Sequence, residues 1–200
     1  SASYAVESYQ SLYLKAHYPL EYMTACINNF GGYYRTEVYV HEARIWGAEI
    51  LAPSLNEGAY LCILKGVRLL LGFILVNGIE HAVIEKALTE RSKNGPFLNF
   101  EDLINRVYIP LEQLSLIIRI GALRDLPETR KELLWKAHLY HQKGKKDAHI
   151  PGLFDTSRKT YQLPSLDEGQ LELAFEQMEL LGFPLCNPFE LLKKEPEKHI

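Results

Sequence analysis

The segment Leu71-Gly72-Phe73-Ile74-Leu75-Val76-Asn77-Gly78-Ile79-Glu80-His81-Ala82-Val83 places a glycine turn immediately before an amphipathic helical stretch. That order has a specific chemical use. A tight turn leaves the first N–H groups of the next helix without partners, and the helix dipole adds partial positive charge there, so a phosphate oxygen supplies the missing acceptor. Glycine matters because a side chain would hold the phosphate away from the backbone. Asn77, Gly78 and Ile79 are therefore candidate phosphate contacts, with Arg91 further along the same helix as a candidate cation. Glu80 acts in the other direction: a carboxylate in a first helical turn suits the dipole but repels a phosphate at the same amides. A purely structural corner is the competing reading. A second turn of this kind lies at Leu116-Ile117-Ile118-Arg119-Ile120-Gly121-Ala122-Leu123-Arg124-Asp125-Leu126, followed by Arg130 and Lys131. Gly121, Arg124 and Arg130 are its candidate contacts, the arginines being either phosphate ligands or ordinary surface cations.

Other chemistry finds little support. His138 and His141 share a helix face at i, i+3, but no cysteine or carboxylate follows at ligand spacing, so a solvated pair is expected. There is no Ser-His-Asp constellation, P-loop or dinucleotide fingerprint. Two hundred residues, 47% hydrophobic and 24% charged, fit one or two ordinary globular domains. No apolar run approaches the roughly 18 residues needed to span a bilayer, and the start at Ser1 shows no signal pattern. The chain reads as a soluble, cytoplasmic piece of something longer. Cys26, Cys62 and Cys186 are odd in number and set in apolar surroundings, which fits reduced core thiols. The net charge of −3 hides an asymmetry. Residues 1–60 hold three Lys/Arg and six Asp/Glu, residues 61–146 fourteen and nine, residues 147–200 five and ten. A phosphate partner belongs with the basic middle.

The elements that would position these residues are mostly helical. Tyr9, Leu12, Tyr13 and Ala16 recur with the period of a buried helical stripe, and Pro19 stops that helix while starting the next, over Leu20 to Phe30. Thr36 to Trp46 reads as a third helix with Gly47 as its left-handed C′ residue. Glu49 to Ala52 is extended into Pro53. A small hairpin follows, Tyr60 to Leu64 and Val67 to Leu71 around Lys65-Gly66. Helices are expected over Ile79–Ser92, Asn99–Val107, Leu111–Ile120, Glu128–Gln142 and Leu171–Leu181, with a polar linker before the last.

Tyr9-Gln10-Ser11-Leu12-Tyr13-Leu14-Lys15-Ala16-His17-Tyr18-Pro19, then Arg44-Ile45-Trp46-Gly47 through Pro53-Ser54-Leu55-Asn56, closely resemble the end of the fingers in the alpha subunit of bacterial DNA polymerase III. Asn94-Gly95-Pro96-Phe97 to Leu103 and the Gly121 segment are similar to that family's tandem helix-hairpin-helix region. Three positions depart from the pattern: Asn77 stands where the family carries Lys, Glu80 where it carries a second glycine, and Pro127 where it tends to carry Gly. The resemblance implies a division into fingers end (1–58), β-hairpin connection (59–72), tandem helix-hairpin-helix domain (73–143) and a linker with a final helix (144–200). It also implies a polymerase parent whose palm, with its Mg²⁺-binding carboxylates, lies outside this chain, so the fragment alone would carry no cofactor and be inactive. Duplex primer-template DNA, the parent's other domains and its sliding clamp are the implied partners. Ser1, Ser3 and Tyr4 would stand near the incoming nucleotide, or Ser would simply cap a helix. A stand-alone DNA-repair module and a protein-interaction scaffold without DNA contact are the competing functions.

Overall fold

The computed structural model describes residues 2–30, 32–146 and 169–187. The chain begins with α1 (Ala2–His17), α2 (Pro19–Asn28) and α3 (Thr36–Ile45). Pro19 occupies the first turn of α2, where its missing N–H costs nothing. The end of α3 follows the Schellman pattern. Gly47, at φ +92°, donates to Arg44 O at 3.0 Å, and Ala48 donates to Ala43 O at 2.9 Å.

The expected burial of the α1 stripe is not what the structure shows. Tyr9 is 68% exposed, Leu12 67% and Tyr13 48%, so the helical period is right but the stripe has no covering partner among the described residues. The physical reason is that α1 packs through its C-terminal end on α2, while its outward length meets nothing in the described chain. The first core is instead built from Met23, Ile27, Val40 and Ala43 on the facing sides of α2 and α3.

Strands β1 (Glu49–Leu51), β2 (Ile63–Lys65) and β3 (Arg68–Leu70) form one sheet in the order β1-β3-β2. The β2–β3 hairpin is antiparallel, with Ile63 opposite Leu70 and Gly66 at φ +63° in its turn. β1 adds a third strand, parallel to β3, with Glu49 opposite Arg68 and Leu51 opposite Leu70. Sequence reasoning saw this segment only as extended chain. A parallel partner is reached through a long connection and leaves no local turn signal.

A 3₁₀ turn (Phe73–Leu75) then leads into α4 (His81–Asn94), α5 (Phe100–Arg106), α6 (Leu111–Arg119), α7 (Arg130–Lys146) and α8 (Gln170–Leu181). Asn99 caps α5 by accepting from Asp102 N–H at 2.8 Å. One continuous buried cluster runs from Met23 through Leu71, Phe73, Ile84, Phe100, Leu114 and Ile117 to Phe183. Most of the expected linker, residues 147–168, lies outside the described residues.

Two asparagine side chains bind distant backbone in the manner of a strand. Asn28 Nδ2 donates to Cys62 O at 2.9 Å while its Oδ1 accepts from Cys62 N–H at 2.7 Å. Asn56 does the same to Phe97, at 2.9 Å in both directions. Each amide thus satisfies one backbone donor and one acceptor that are out of water's reach. Asn56→Ala strands both Phe97 groups, so a loss of about 2–3 kcal/mol is expected. Thermal unfolding followed by circular dichroism should show Tm lower by roughly 5–10 °C.

Candidate nucleic-acid interface

The first hairpin rests on a close backbone contact. A Cβ at Gly72 would sit 2.4 Å from Tyr60 O and from Leu61 C, so only glycine lets this segment lie against residues 60–62. The following turn reverses at Gly78, with φ +78°. Gln113, buried on α6, grips the turn from beneath: its Nε2 donates to Gly78 O at 3.0 Å and its Oε1 accepts from Glu80 N–H at 2.8 Å. Asn77 faces another way. Its N–H donates to Leu180 O at 2.8 Å and its Nδ2 to Glu179 O at 3.3 Å, so it caps the C-terminal carbonyls of α8. Ile79 N–H is closed onto Val76 O at 3.3 Å.

The amides of Asn77, Ile79 and Glu80 are therefore engaged within the protein. What the hairpin still presents is the exposed start of α4, at His81 and Ala82, beside the exposed Gly78. Glu80 stands at the N-cap rather than within the first turn, and its side chain makes no capping bond. The positive end of the α4 dipole is thus open, with a carboxylate next to it.

The second hairpin closes differently. Gly121, also at φ +78°, donates to Ile118 O at 2.9 Å, and Ala122 donates to Ile117 O at 3.0 Å, a Schellman ending for α6. The start of α7 is filled by a capping box. Thr129 N–H and Oγ1–H donate to Glu132 Oε2 at 2.8 and 2.9 Å, and Glu132 N–H returns to Thr129 Oγ1 at 3.3 Å. A carboxylate of the protein itself already occupies this helix start.

The candidate cations point to protein groups. Arg91, half-buried, donates to Leu55 O at 2.7 Å and Gly58 O at 2.8 Å, and burial pulls its pKa down. Arg124 stays exposed while reaching Pro53 O at 2.8 Å. Arg130 is buried against α8, where its Nη1 bonds Glu176 and also Arg119 O at 3.3 Å. Arg119 pairs with Glu179 and with Glu176, and the Glu179 bond raises its pKa. Lys131 meets Glu172 at 3.1 Å. The structure therefore brings Asn77, Gly78 and Ile79 together in one turn and Gly121, Arg124 and Arg130 around the other. Ser3 and Tyr4 lie apart, exposed on the first turns of α1, and Ser1 lies outside the described residues.

Sequence reasoning missed Gln113 and the α8 carboxylates. Gln113 had a signal, a polar residue beside Leu114 and Ile117 on an otherwise apolar helix face. The row Glu172, Glu176, Glu179 reads as a solvated face until α8 is placed. His138 is exposed and His141 half-buried, the latter with its ring 5.2 Å from Tyr140. No group of three or more His, Cys, Asp or Glu that could hold a metal occurs among the described residues. Cys26, Cys62 and Cys186 are free thiols; Cys62 is the core one, its Sγ accepting from Gly72 N–H at 3.1 Å and its pKa pushed up to about 11 by burial. None of the described helices is long and apolar enough to cross a membrane.

Comparison with known proteins agrees with this geometry. Residues 47–133 match the helix-hairpin-helix motif family. An error-prone DNA polymerase of Mycobacterium tuberculosis is 30% identical over 197 residues, covering 96% of this chain and 18% of its own length. The DNA polymerase III subunit alpha of the same organism is 30% identical over 165 residues, covering 78% and 14%. The DNA polymerase III subunit alpha of Thermus aquaticus is 29% identical over 127 residues, covering 62% and 10%. The chain thus spans less than a fifth of the length of these relatives.

The capping box gives a pH signature. Bonds from the Thr129 backbone and hydroxyl hold the Glu132 carboxyl below the usual carboxylate pKa. A depressed folded pKa contributes stability that is present above the unfolded value of about 4.3 and lost as pH falls through the folded one. Glu132→Gln should therefore lower Tm at pH 7, and the gap from the parent should shrink toward zero below roughly pH 4. Calorimetric melts across that range check the sign.

Proposed function

Since 96% of the chain is similar to one segment of an error-prone DNA polymerase and 78% of it to one segment of a bacterial DNA polymerase III alpha subunit, we propose that it grips duplex primer-template DNA by its backbone, as part of a DNA-synthesising enzyme. The observation that supports this most directly is the first hairpin: a glycine turn at φ +78° followed by an α4 N-terminus that is exposed and uncapped by any side chain. Backbone amides and a helix dipole recognise phosphates, which every sequence shares. Arg124, exposed at the second turn, is the cation best placed to add to this grip. Nucleotidyl transfer itself belongs to a carboxylate set holding divalent cations, which this reading assigns to the palm of the parent. That parent is read as a cytoplasmic bacterial polymerase working with a sliding clamp. Ser3 and Tyr4, on α1, would face the nucleotide side of such an enzyme.

One observation favours a rival. Arg119, Arg130 and Lys131 are all paired with α8, as suits a protein-interaction scaffold that never meets DNA. Salt-dependent duplex affinity separates the two. With two to four phosphates neutralised, Kd should weaken about ten- to a hundredfold between 50 and 200 mM salt, and a single base-pair change should alter it by less than about 1 kcal/mol. Fluorescence anisotropy with labelled duplexes measures both, and salt-insensitive or absent binding would favour the scaffold.

Glu80 offers the sharper test. Glu80→Gly removes the carboxylate beside the open α4 terminus, and duplex affinity should rise roughly two- to fivefold, matching a dipole-range interaction of about 0.4–1 kcal/mol. Because the residue is an N-cap, glycine there costs only a few tenths of a kcal/mol. Affinity should therefore rise with Tm nearly unchanged. Unchanged affinity for Glu80→Gly together with weakened binding by Arg124→Ala would move the contact to the second hairpin.

A further inference from the structure

The carboxylates of α8 stand in a single row, Glu172, Glu176 and Glu179, at i, i+4 and i+7. A helix rises about 1.5 Å per residue, so the row carries one negative charge about every 4.5–6 Å along its axis. Each charge meets the basic surface of the second hairpin: Glu172 on Lys131 at 3.1 Å, Glu176 on Arg130 and on Arg119 at 3.3 Å, Glu179 on Arg119. At its other end α8 offers its last carbonyls, Glu179 O and Leu180 O, to Asn77 of the first hairpin. The helix therefore lies across both hairpins and presents acceptors to the donors that a nucleic-acid backbone would use. We propose that α8 is an internal stand-in for a phosphate strand, which duplex DNA must displace, at least along its N-terminal half, to reach the second hairpin.

The seating of α8 is uneven in a way that suits this role. Its C-terminal end is anchored by apolar burial, with Leu180 at 2% exposure and Leu181 at 8%, and Phe183 just past the helix at 5%. Its N-terminal half buries one small side chain, Ala174, and is otherwise held by the ion pairs, above a cleft of about 330 Å³ lined by Ile118, Gly121, Leu123, Thr129, Leu173 and Gln177. Ion pairs exchange one anion for another at small net cost, because each cation keeps a charged acceptor throughout. Apolar packing has no such substitute. The helix is thus built to lift at the end that carries Glu172 and Glu176 while staying attached at the end that carries Leu180.

The inference rests on the DNA-binding reading above, and the experiment keeps the two separable. The full chain carrying Glu172→Gln, Glu176→Gln and Glu179→Gln is compared with one carrying Glu7→Gln, Glu21→Gln and Glu37→Gln, which removes the same charge from α1, α2 and α3. Duplex affinity at 100 mM salt should rise at least tenfold for the α8 variant over the control. In parallel, amide hydrogen exchange of α8 in the unaltered chain should quicken when saturating duplex is added, a readout that decides the matter even if the triple variant does not fold. Equal affinities for the two variants, or α8 exchange that is unchanged or slowed by DNA, would overturn the stand-in while leaving the DNA-binding reading in place. Failure of every chain to bind duplex would overturn both.

Discussion

Irregular backbone buried inside a protein must find hydrogen-bond partners or unfold the region around it, and this fold is organised around one such stretch. Residues 53–58 have no helical or strand ladder to serve them, yet Pro53, Ser54, Leu55 and Gly58 are buried. Their partners come from many places. Arg124 supplies Pro53 O, Ala122 O accepts from Leu55 N–H, and Arg91 reaches both Leu55 O and Gly58 O. The Ser54 hydroxyl accepts from Asn56 and Glu57 N–H and donates to Asp125 at 2.7 Å, while Asn56 clamps Phe97. The two hairpins are fixed relative to each other because both are bonded to the same six residues. Arg91 and Arg124, which look like DNA contacts by residue type, both bond this centre, and of the two only Arg124 stays exposed.

A basic residue near a DNA-binding turn can meet phosphate or hold the turn itself. At the second hairpin the holding duty falls on Arg119 and Arg130, and α8 supplies the opposing charge. At the first, Gln113 fulfils it with a neutral amide, which has both a donor and an acceptor and needs no counter-ion. That difference leaves the first turn's surface uncommitted and the second turn's surface charged but satisfied.

Much of this was readable from the residues. The helices, the glycine reversals at Gly47, Gly78 and Gly121, the hairpin around Gly66, and the family resemblance all follow from local periodicity or short motifs. What escaped was everything non-local. The parallel strand β1, the side-chain clamps of Asn28 and Asn56, and the grip of Gln113 join positions more than fifteen residues apart, and no spacing rule encodes them. The outward stripe of α1 failed for a related reason: helical period reveals that a face is apolar but cannot say whether its partner lies nearby. Candidate cations were found by type, whereas whether they are committed depends on distant partners: residues 53–58 for Arg91 and Arg124, and for Arg130 α8, which arrives about forty residues later.

The parallel pairing of β1 with β3 also sets an order of assembly. Glu49 to Leu51 has no strand to pair with until Arg68–Leu70 has been made, and Asn28 cannot be clamped until Cys62 is in place. The buried stretch after β1 waits longer still, because its partners Ala122, Arg124 and Asp125 come some seventy residues later. Closing loops of that length precedes any gain from the contacts they permit. On a ribosome, where synthesis runs from the N-terminus, the first three helices would therefore emerge with Met23, Ile27 and Val40 only partly sheltered.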